Sequence, residues 1–409
     1  MNWRQSDRPL MMFFMVYMTQ YIGVSFVLTS AVVILRHLGF PLEKLSLLYL
    51  VTLPIAFKIF FGIMVDKVKT FFQGQYRGWL LIAQAGMTSL LIVISFIDFV
   101  SHFYLVLALF IIYAVLTSIQ DVSVDGLACK IFPKDKRQKV NAVQYAGNLL
   151  GNIAGGGIVL IFYEDLGWSG SLCLLAALTL FSFMQIVFYR EPDIAFVTEN
   201  SVPVKLWVEF KAFIAAHRQW FGFLLIMPLG LSAAYALLNP MLVDLEWAPQ
   251  EIGLLTKIFG SVVGVLSAVL IIPLVSKLGR SKALALLMFL QSVVLFALLP
   301  MTRGYADIFG IYIAIGMYSL IQPGLLAAGS TVIMDKASIT SSKSTFFSLQ
   351  ISVVVLLGFF YSALALRLAH YYGYYVVMVG AIVASFVAWG LLVLLLRVSR
   401  KNGRDFLSE

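Results

Sequence analysis

Charged residues are scarce in this sequence: Asp, Glu, Lys and Arg together make up 12% of its 409 residues, about half the share of a soluble domain. With 61% of the chain hydrophobic, a soluble globule is excluded, because no core of this size hides so much apolar surface. Cysteine is rarer still. Cys129 and Cys173 each sit in an apolar run with no partner at ligand spacing, so both read as packing residues and no metal site is expected. The four histidines, His37, His102, His217 and His370, fall at the ends of apolar runs or between them. The chain has no H-E-x-x-H, no nucleophile elbow and no nucleotide fingerprint, so no catalytic residue and no cofactor is expected, and the reading is that it is not an enzyme. A receptor or scaffold would need a sizeable polar domain, which the sequence also lacks.

What the chain does have is apolar blocks of about 20 residues, the length that crosses a hydrocarbon core of about 30 Å. Twelve are recognisable, at 10–35, 44–65, 79–98, 103–131, 140–163, 169–189, 219–243, 251–275, 283–300, 305–334, 345–368 and 374–397. They do not alternate as barrel strands do. The expected fold class is therefore an all-α polytopic membrane protein of twelve transmembrane helices. The first block is longer than the apolar core of a signal peptide and is expected to stay as a span. The net charge of +9 points to no nucleic acid. Most Lys and Arg fall in alternate loops, which puts both termini in the cytoplasm, with anionic membrane lipid as a surface contact.

The longest polar link divides the spans into an N-terminal half, 1–190, a cytoplasmic linker, 191–218, and a C-terminal half, 219–409. Within the linker, Val204–Lys211 has the pattern of a helix lying on the membrane surface. Pro41-Leu42-Glu43 and Pro249-Gln250-Glu251 open the second span of each half, a faint internal repeat. Parallel repeats of six spans are a transporter plan with the substrate site near the membrane midplane. No ATP motif is present, so concentrative transport would draw on an ion gradient, most simply protons.

An ionisable group at the centre of a span costs roughly 2.5–3.5 kcal/mol on insertion scales and so needs a cavity or a partner. Asp121 and Asp125 meet that description and lie one turn apart on one helix face. Lys58 lies at a similar depth, roughly 12 Å from the cytoplasmic end of its span at about 1.5 Å per residue. Two readings follow. Either Asp121 or Asp125 takes up a proton during transport with Lys58 as the competing partner, or Lys58 and Asp121 form a static pair joining spans two and four. Lys257 is the second lone cation; it either snorkels to the outer headgroups or receives an anionic group of a substrate. Tyr17, Gln20 and Tyr21 in span one, Gln120 in span four, Gln144, Asn148 and Asn152 in span five, Tyr235 and Asn239 in span seven, Gln322 in span ten and Gln350 in span eleven are candidates for contact with a small-molecule substrate. Intramembrane amides also knit helices together, at about 0.6 kcal/mol per contact. The run Gly151–Gly157 reads as a close-packing surface, and Pro54, Pro228 and Pro323 as sites of bends or kinks.

Gly62-Ile63-Met64-Val65-Asp66-Lys67 resembles the G-x-x-x-D-[RK] loop signature of the major facilitator superfamily, without its full basic tail. Gly62, Asp66 and Lys67 would then belong to the gating loop between spans two and three. Leu53–Lys58 together with Gln120–Ala128 resembles the peptide/acetyl-CoA/drug transporter group within that superfamily. The ending Asp125-Gly126-Leu127-Ala128, with Ser348-Leu349-Gln350, is similar to the ferri-siderophore importers of the pyochelin and rhizobactin type. The resemblance implies a monomeric, proton-coupled importer in a bacterial inner membrane, carrying a ferri-siderophore or similar polar solute by alternating access. Muropeptide permeases, and behind them drug or acyl-CoA carriers, are the alternative.

Overall fold

The structure, a computed structural model, describes residues 8–132, 137–192, 203–305, 307–338 and 343–401. In hydrocarbon every backbone N–H and C=O needs a partner within the protein, and a helix supplies it locally. The described residues accordingly form helices and no strand, twelve rods that match the apolar blocks and one further helix in the linker. These are α1 (residues 8–37), α2 (42–67), α3 (Gln75–Ser95), α4 (Phe103–Ile131), α5 (137–161), α6 (Tyr163–Phe188), α7 (Arg218–Asp244), α8 (249–278), α9 (Arg280–Arg303), α10 (Ile308–Ser338), α11 (343–372) and α12 (374–401). The last two are one 59-residue helix by hydrogen bonding, turned at Gly373, whose φ of 78° suits a residue without Cβ. The chain is thus the twelve-helix membrane protein expected from its apolar blocks.

Several rods are not plain α-helix. α2 runs as α (Leu42–Ser46), 3-10 (Leu47–Thr52), a short turn around Pro54 (Leu53–Ala56) and α again from Lys58. The break at Phe57 follows from Pro54, which fixes its φ and withholds a donor. Pro228 likewise separates Arg218–Ile226 from Leu229–Asp244, and Pro323 sits inside α10. Three rods contain π-helical turns, at Phe26–Ala31, Ile153–Ile158 and Leu254–Phe259.

Internal contacts divide the chain into two units, one made of 1–39, 48–197 and 248–257, the other of 40–47, 198–247 and 258–409. In the first, α1 lies directly against the glycine stripe of α5. A Cβ on Gly147, Gly151 or Gly155 would come 2.7, 2.2 or 2.0 Å from the carbonyl oxygens of Phe14, Met18 and Ile22. Only glycine permits that backbone-to-backbone approach, which in a membrane stands in for the hydrophobic drive that lipid removes. The apolar core of this unit joins Phe13 and Tyr17 of α1, Leu80 of α3, Ile119 and Leu127 of α4 and Ile186 of α6. In the second unit Trp220, Phe223, Leu284, Met288, Val332 and Leu392 form the main core. The linker segment forms a helix, Pro203–Ala216, which seats Phe213 against Phe346 of α11 at a ring separation of 4.6 Å.

Candidate functional site

The break in α2 makes Lys58 the first residue of the helix Lys58–Lys67. Its ammonium reaches Asp121 Oδ2 of α4 at 3.0 Å. Asp121 is buried, with 6% of its side chain exposed, while 34% of the Lys58 side chain is open. One turn further along α4, Asp125 accepts a hydrogen bond from Tyr17 OH of α1 at 2.9 Å. Asp125 lies within electrostatic reach of both Asp121 and Lys58, and Tyr21 within reach of Lys58. Three rods of one unit thus assemble two carboxylates, one ammonium and two phenols. With both carboxylates and the ammonium ionised and the phenols neutral, the cluster carries one unmatched negative charge, and a single proton balances it. In a weakly polar medium that exchange of a proton for charge balance is large in energy, and it is tied to helix contacts because the groups are spread over three rods.

Behind this cluster is a layer of buried amides. Gln84 Nε2 of α3 donates to Thr19 Oγ1, Gln120 Oε1 and Ser182 Oγ at 2.8, 3.1 and 3.2 Å, and Gln120 Nε2 donates to the Val16 carbonyl at 2.6 Å. Gln84 and Gln120 are both fully buried. At about 0.6 kcal/mol per interhelical contact these bonds supply about 2 kcal/mol, and they fix α4 against α1, α3 and α6. Gln120 is therefore a strut behind Asp121. Sequence reading found Gln120 but missed Gln84, for which a lone glutamine in an apolar run was the signal.

At the shared end of α3, α4 and α6, Glu191 is the hub. Its carboxylate takes Lys130 Nζ of α4 at 2.7 Å and the backbone N–H of Arg77 in the first turn of α3 at 2.8 Å. The Arg77 guanidinium meanwhile caps α6 through the carbonyls of Ile186 and Val187, at 3.1 and 2.8 Å. Orphan carbonyls at a helix C-terminus and an anion at a helix N-terminus are both matched here. The loop charges that sequence reading used only for topology are these ties.

The remaining candidates fall in separate places. Gln144 and Asn148 are half-buried on α5, and Asn148 Oδ1, like Gln20 Oε1 of α1, is buried without a hydrogen-bond partner. Asn152 donates to the Asn148 carbonyl at 3.2 Å. Tyr235 and Gln322 are half-buried on α7 and α10, and Asn239 is buried with Oδ1 unpartnered. Gln350 is fully buried; it accepts from the Trp220 indole at 2.7 Å and donates to the carbonyls of Phe346 and Ile333, so its amide is committed to packing. Gly62 faces Val122 of α4, and a Cβ there would sit 3.5 Å from Val122 Cγ1. The side chains of Asp66 and Lys67, like that of Ser348, lie outside the described residues. Lys257 is 9% exposed and its stem packs against Gly156 and Gly157. Among the described residues no group of three or more His, Cys, Asp and Glu side chains is arranged to hold a metal ion.

A family model described as Major Facilitator Superfamily matches residues 11–242. The anhydromuropeptide permease of Escherichia coli (strain K12) is 24% identical over 254 residues, covering 61% of this chain. That match spans 52% of the permease, about half its length. Among solved structures, a bacterial homologue of the human lysosomal transporter Spinster, inward-facing and unoccupied, superimposes with a TM-score of 0.72 at 12% identity over 95% of this chain and 97% of its own. The nucleoside transporter NupG gives 0.70 at 13% identity over 94% and 98%.

Proposed function

Because the chain belongs to the Major Facilitator Superfamily, we propose that it is a proton-coupled secondary transporter of a bacterial inner membrane, working as a monomer with both termini in the cytoplasm. Its solute in this reading is a sugar–peptide conjugate of the anhydromuropeptide class, moved inward. The likeness to the permease supports that class over a ferri-siderophore, which rests on two short runs, Asp125–Ala128 and Ser348–Gln350.

The observation that carries the coupling is the Lys58–Asp121–Asp125–Tyr17 cluster on α2, α4 and α1. Asp121 and Asp125 share one cation. A proton on Asp125 leaves Lys58 to Asp121 alone, whereas a proton on Asp121 takes away the anion of the 3.0 Å pair, so protonation and the α2–α4 contact change together. Gly62, Asp66 and Lys67 follow on the same helix and transmit that change to the loop between α2 and α3. Gln20, Tyr21, Gln144 and Asn148 lie on α1 and α5 and serve the solute.

The test is uptake of labelled anhydromuramyl tripeptide into proteoliposomes under a pH gradient, acidic outside. Wild-type protein is expected to accumulate the solute and to lose accumulation with a protonophore. Asp121→Asn is expected to lower gradient-driven uptake by about five- to a hundredfold, the span of ordinary coupling energies, while solute exchange without a gradient persists. Accumulation by Asp121→Asn equal to wild type would end the coupling role. A ferric siderophore panel run in parallel decides the solute class.

A further inference from the structure

We propose that Lys257 is an anion seat: it receives a carboxylate or phosphate group of the transported solute, whose uncharged polar part lies along the amide face of α5. The proposal rests on the transporter reading above and adds the charge and approximate length of the solute.

The first segment of α8, 248–257, groups with the first unit. Its helix starts at Pro249 and is fixed by Glu251, whose carboxylate accepts from the Ala248 N–H at 3.0 Å. Gly253 then lies on Gly157 of α5, since a Cβ there would meet the Gly157 carbonyl at 3.0 Å and Leu160 Cβ at 2.9 Å. This approach sets the side chain of Lys257 along bare α5 backbone. A Cβ on Gly157 would be 3.1 Å from Lys257 Cβ, and one on Gly156 2.7 Å from Lys257 Cε and 2.6 Å from Ser25 Oγ. The stem is therefore buried over two glycines and the ammonium is delivered beside Ser25.

That ammonium has no acceptor. Among the described residues no carboxylate lies within salt-bridge distance of it and no hydrogen bond engages it, although the residue is 9% exposed. Ser25 directs its own hydroxyl proton to the Asn152 carbonyl at 2.9 Å. On a side chain this largely buried, with no counter-charge among the described residues, an ammonium is a place where an incoming anion is favoured. The three ammonium protons are thus set for a group that arrives from outside the protein, and that group is an anion.

The rest of the solute is constrained by α5. Asn148, Asn152 and Gly156 repeat at four-residue steps and share one face, with Lys257 touching that face at Gly156. From Asn148 to Gly156 is about 12 Å along the helix axis at about 1.5 Å per residue. Asn148 Oδ1 is buried with no donor. A solute with an anionic end at Lys257 and hydroxyl or amide donors about 12 Å away fills both vacancies, which is the chemistry of a sugar acid joined to amide-bearing groups.

The probe is anhydromuramyl tripeptide as free acid and as its full methyl ester, added to purified full-length protein, with binding read by ligand-dependent thermal shift. The free acid is expected to stabilise wild type and Lys257→Arg, and the ester to do so weakly. Lys257→Gln is expected to keep the ligand-free melting temperature and to bind the acid about ten- to a hundredfold more weakly, the effect of one charge-assisted contact. Gly156→Ala, which places a methyl where Lys257 Cε lies, is expected to weaken the acid in the same way. Equal binding of acid and ester by wild type, acid binding by Lys257→Gln at wild-type strength, or no stabilisation by either probe overturns the seat. Proteoliposome uptake that survives in Lys257→Gln with unchanged affinity refutes the seat while leaving the transporter intact, whereas absence of all wild-type uptake refutes the transporter reading itself.

Discussion

The two units handle buried polarity in opposite ways. The first brings charge among its helices: Asp121, Asp125 and Lys58 within the rods, and Glu191 with Lys130 at the end of α4. In the second, the described carboxylates lie at rod ends, such as Asp244 and Asp307, and the deep polar contacts are made by amides, a hydroxyl, an indole and one lysine. Trp220 donates to Gln350, Gln291 Nε2 approaches Ser385 Oγ at 3.5 Å, and Lys336 sits over the Trp220 ring at 5.5 Å. A neutral amide has one hydrogen-bonding state, whereas a carboxylate has two, so a unit built on amides is indifferent to pH and one built on carboxylates is not.

The largest expected effect breaks the first unit at its Glu191 knot. Glu191→Leu leaves Lys130 buried without its counter-charge and α3 without its anion, a loss of about 3–5 kcal/mol. Thermal unfolding in detergent should show a large drop in apparent melting temperature, and an unchanged value would mean the knot is ornamental. A subtler change, Asp125→Asn, keeps the Tyr17 hydrogen bond available but removes a site of protonation. Its uptake should lose most of its dependence on external pH, an effect of about 1–3 kcal/mol in coupling, with little change in melting temperature. If pH dependence persisted unaltered, the contrast between the units would have to be drawn without Asp125. The smallest effect lies in the second unit, where Gln350→Leu deprives the Trp220 indole of its acceptor. It should cost about 1 kcal/mol of stability and leave both the pH profile and the solute affinity of uptake as they were. A changed affinity would return Gln350 to the solute.

The chain's twelve rods were legible because apolar length is a one-dimensional property, and so was the pairing of Lys58 with Asp121, since both sit too deep to be left alone. The partner of Asp125 was not. Tyr17 was marked as a contact for a solute, yet its hydroxyl closes on a carboxylate of another helix, and nothing local distinguishes a phenol that meets a ligand from one that meets an aspartate. Gln350 was ambiguous for the same reason: an amide in a span needs a partner, but the sequence does not say whether the partner is an indole or a solute. Glu191 lay in plain view after an apolar run, and only the convergence of α3, α4 and α6 turned it from a linker residue into a hub. Breaks within rods were half visible, since Pro54 announces the interruption that presents Lys58, while the π-helical turns leave no sequence mark.

Those turns, at Phe26–Ala31, Ile153–Ile158 and Leu254–Phe259, have a mechanical meaning. Each stores one residue more than an α spiral of the same length would use. Handing that surplus residue to the next turn swivels the rest of the rod by about a third of a revolution and slides it by about 1.5 Å, with nearly every backbone bond kept. α1, α5 and α8 therefore carry slack that lets them screw past their neighbours in lipid, where unwinding a turn would leave peptide groups bare.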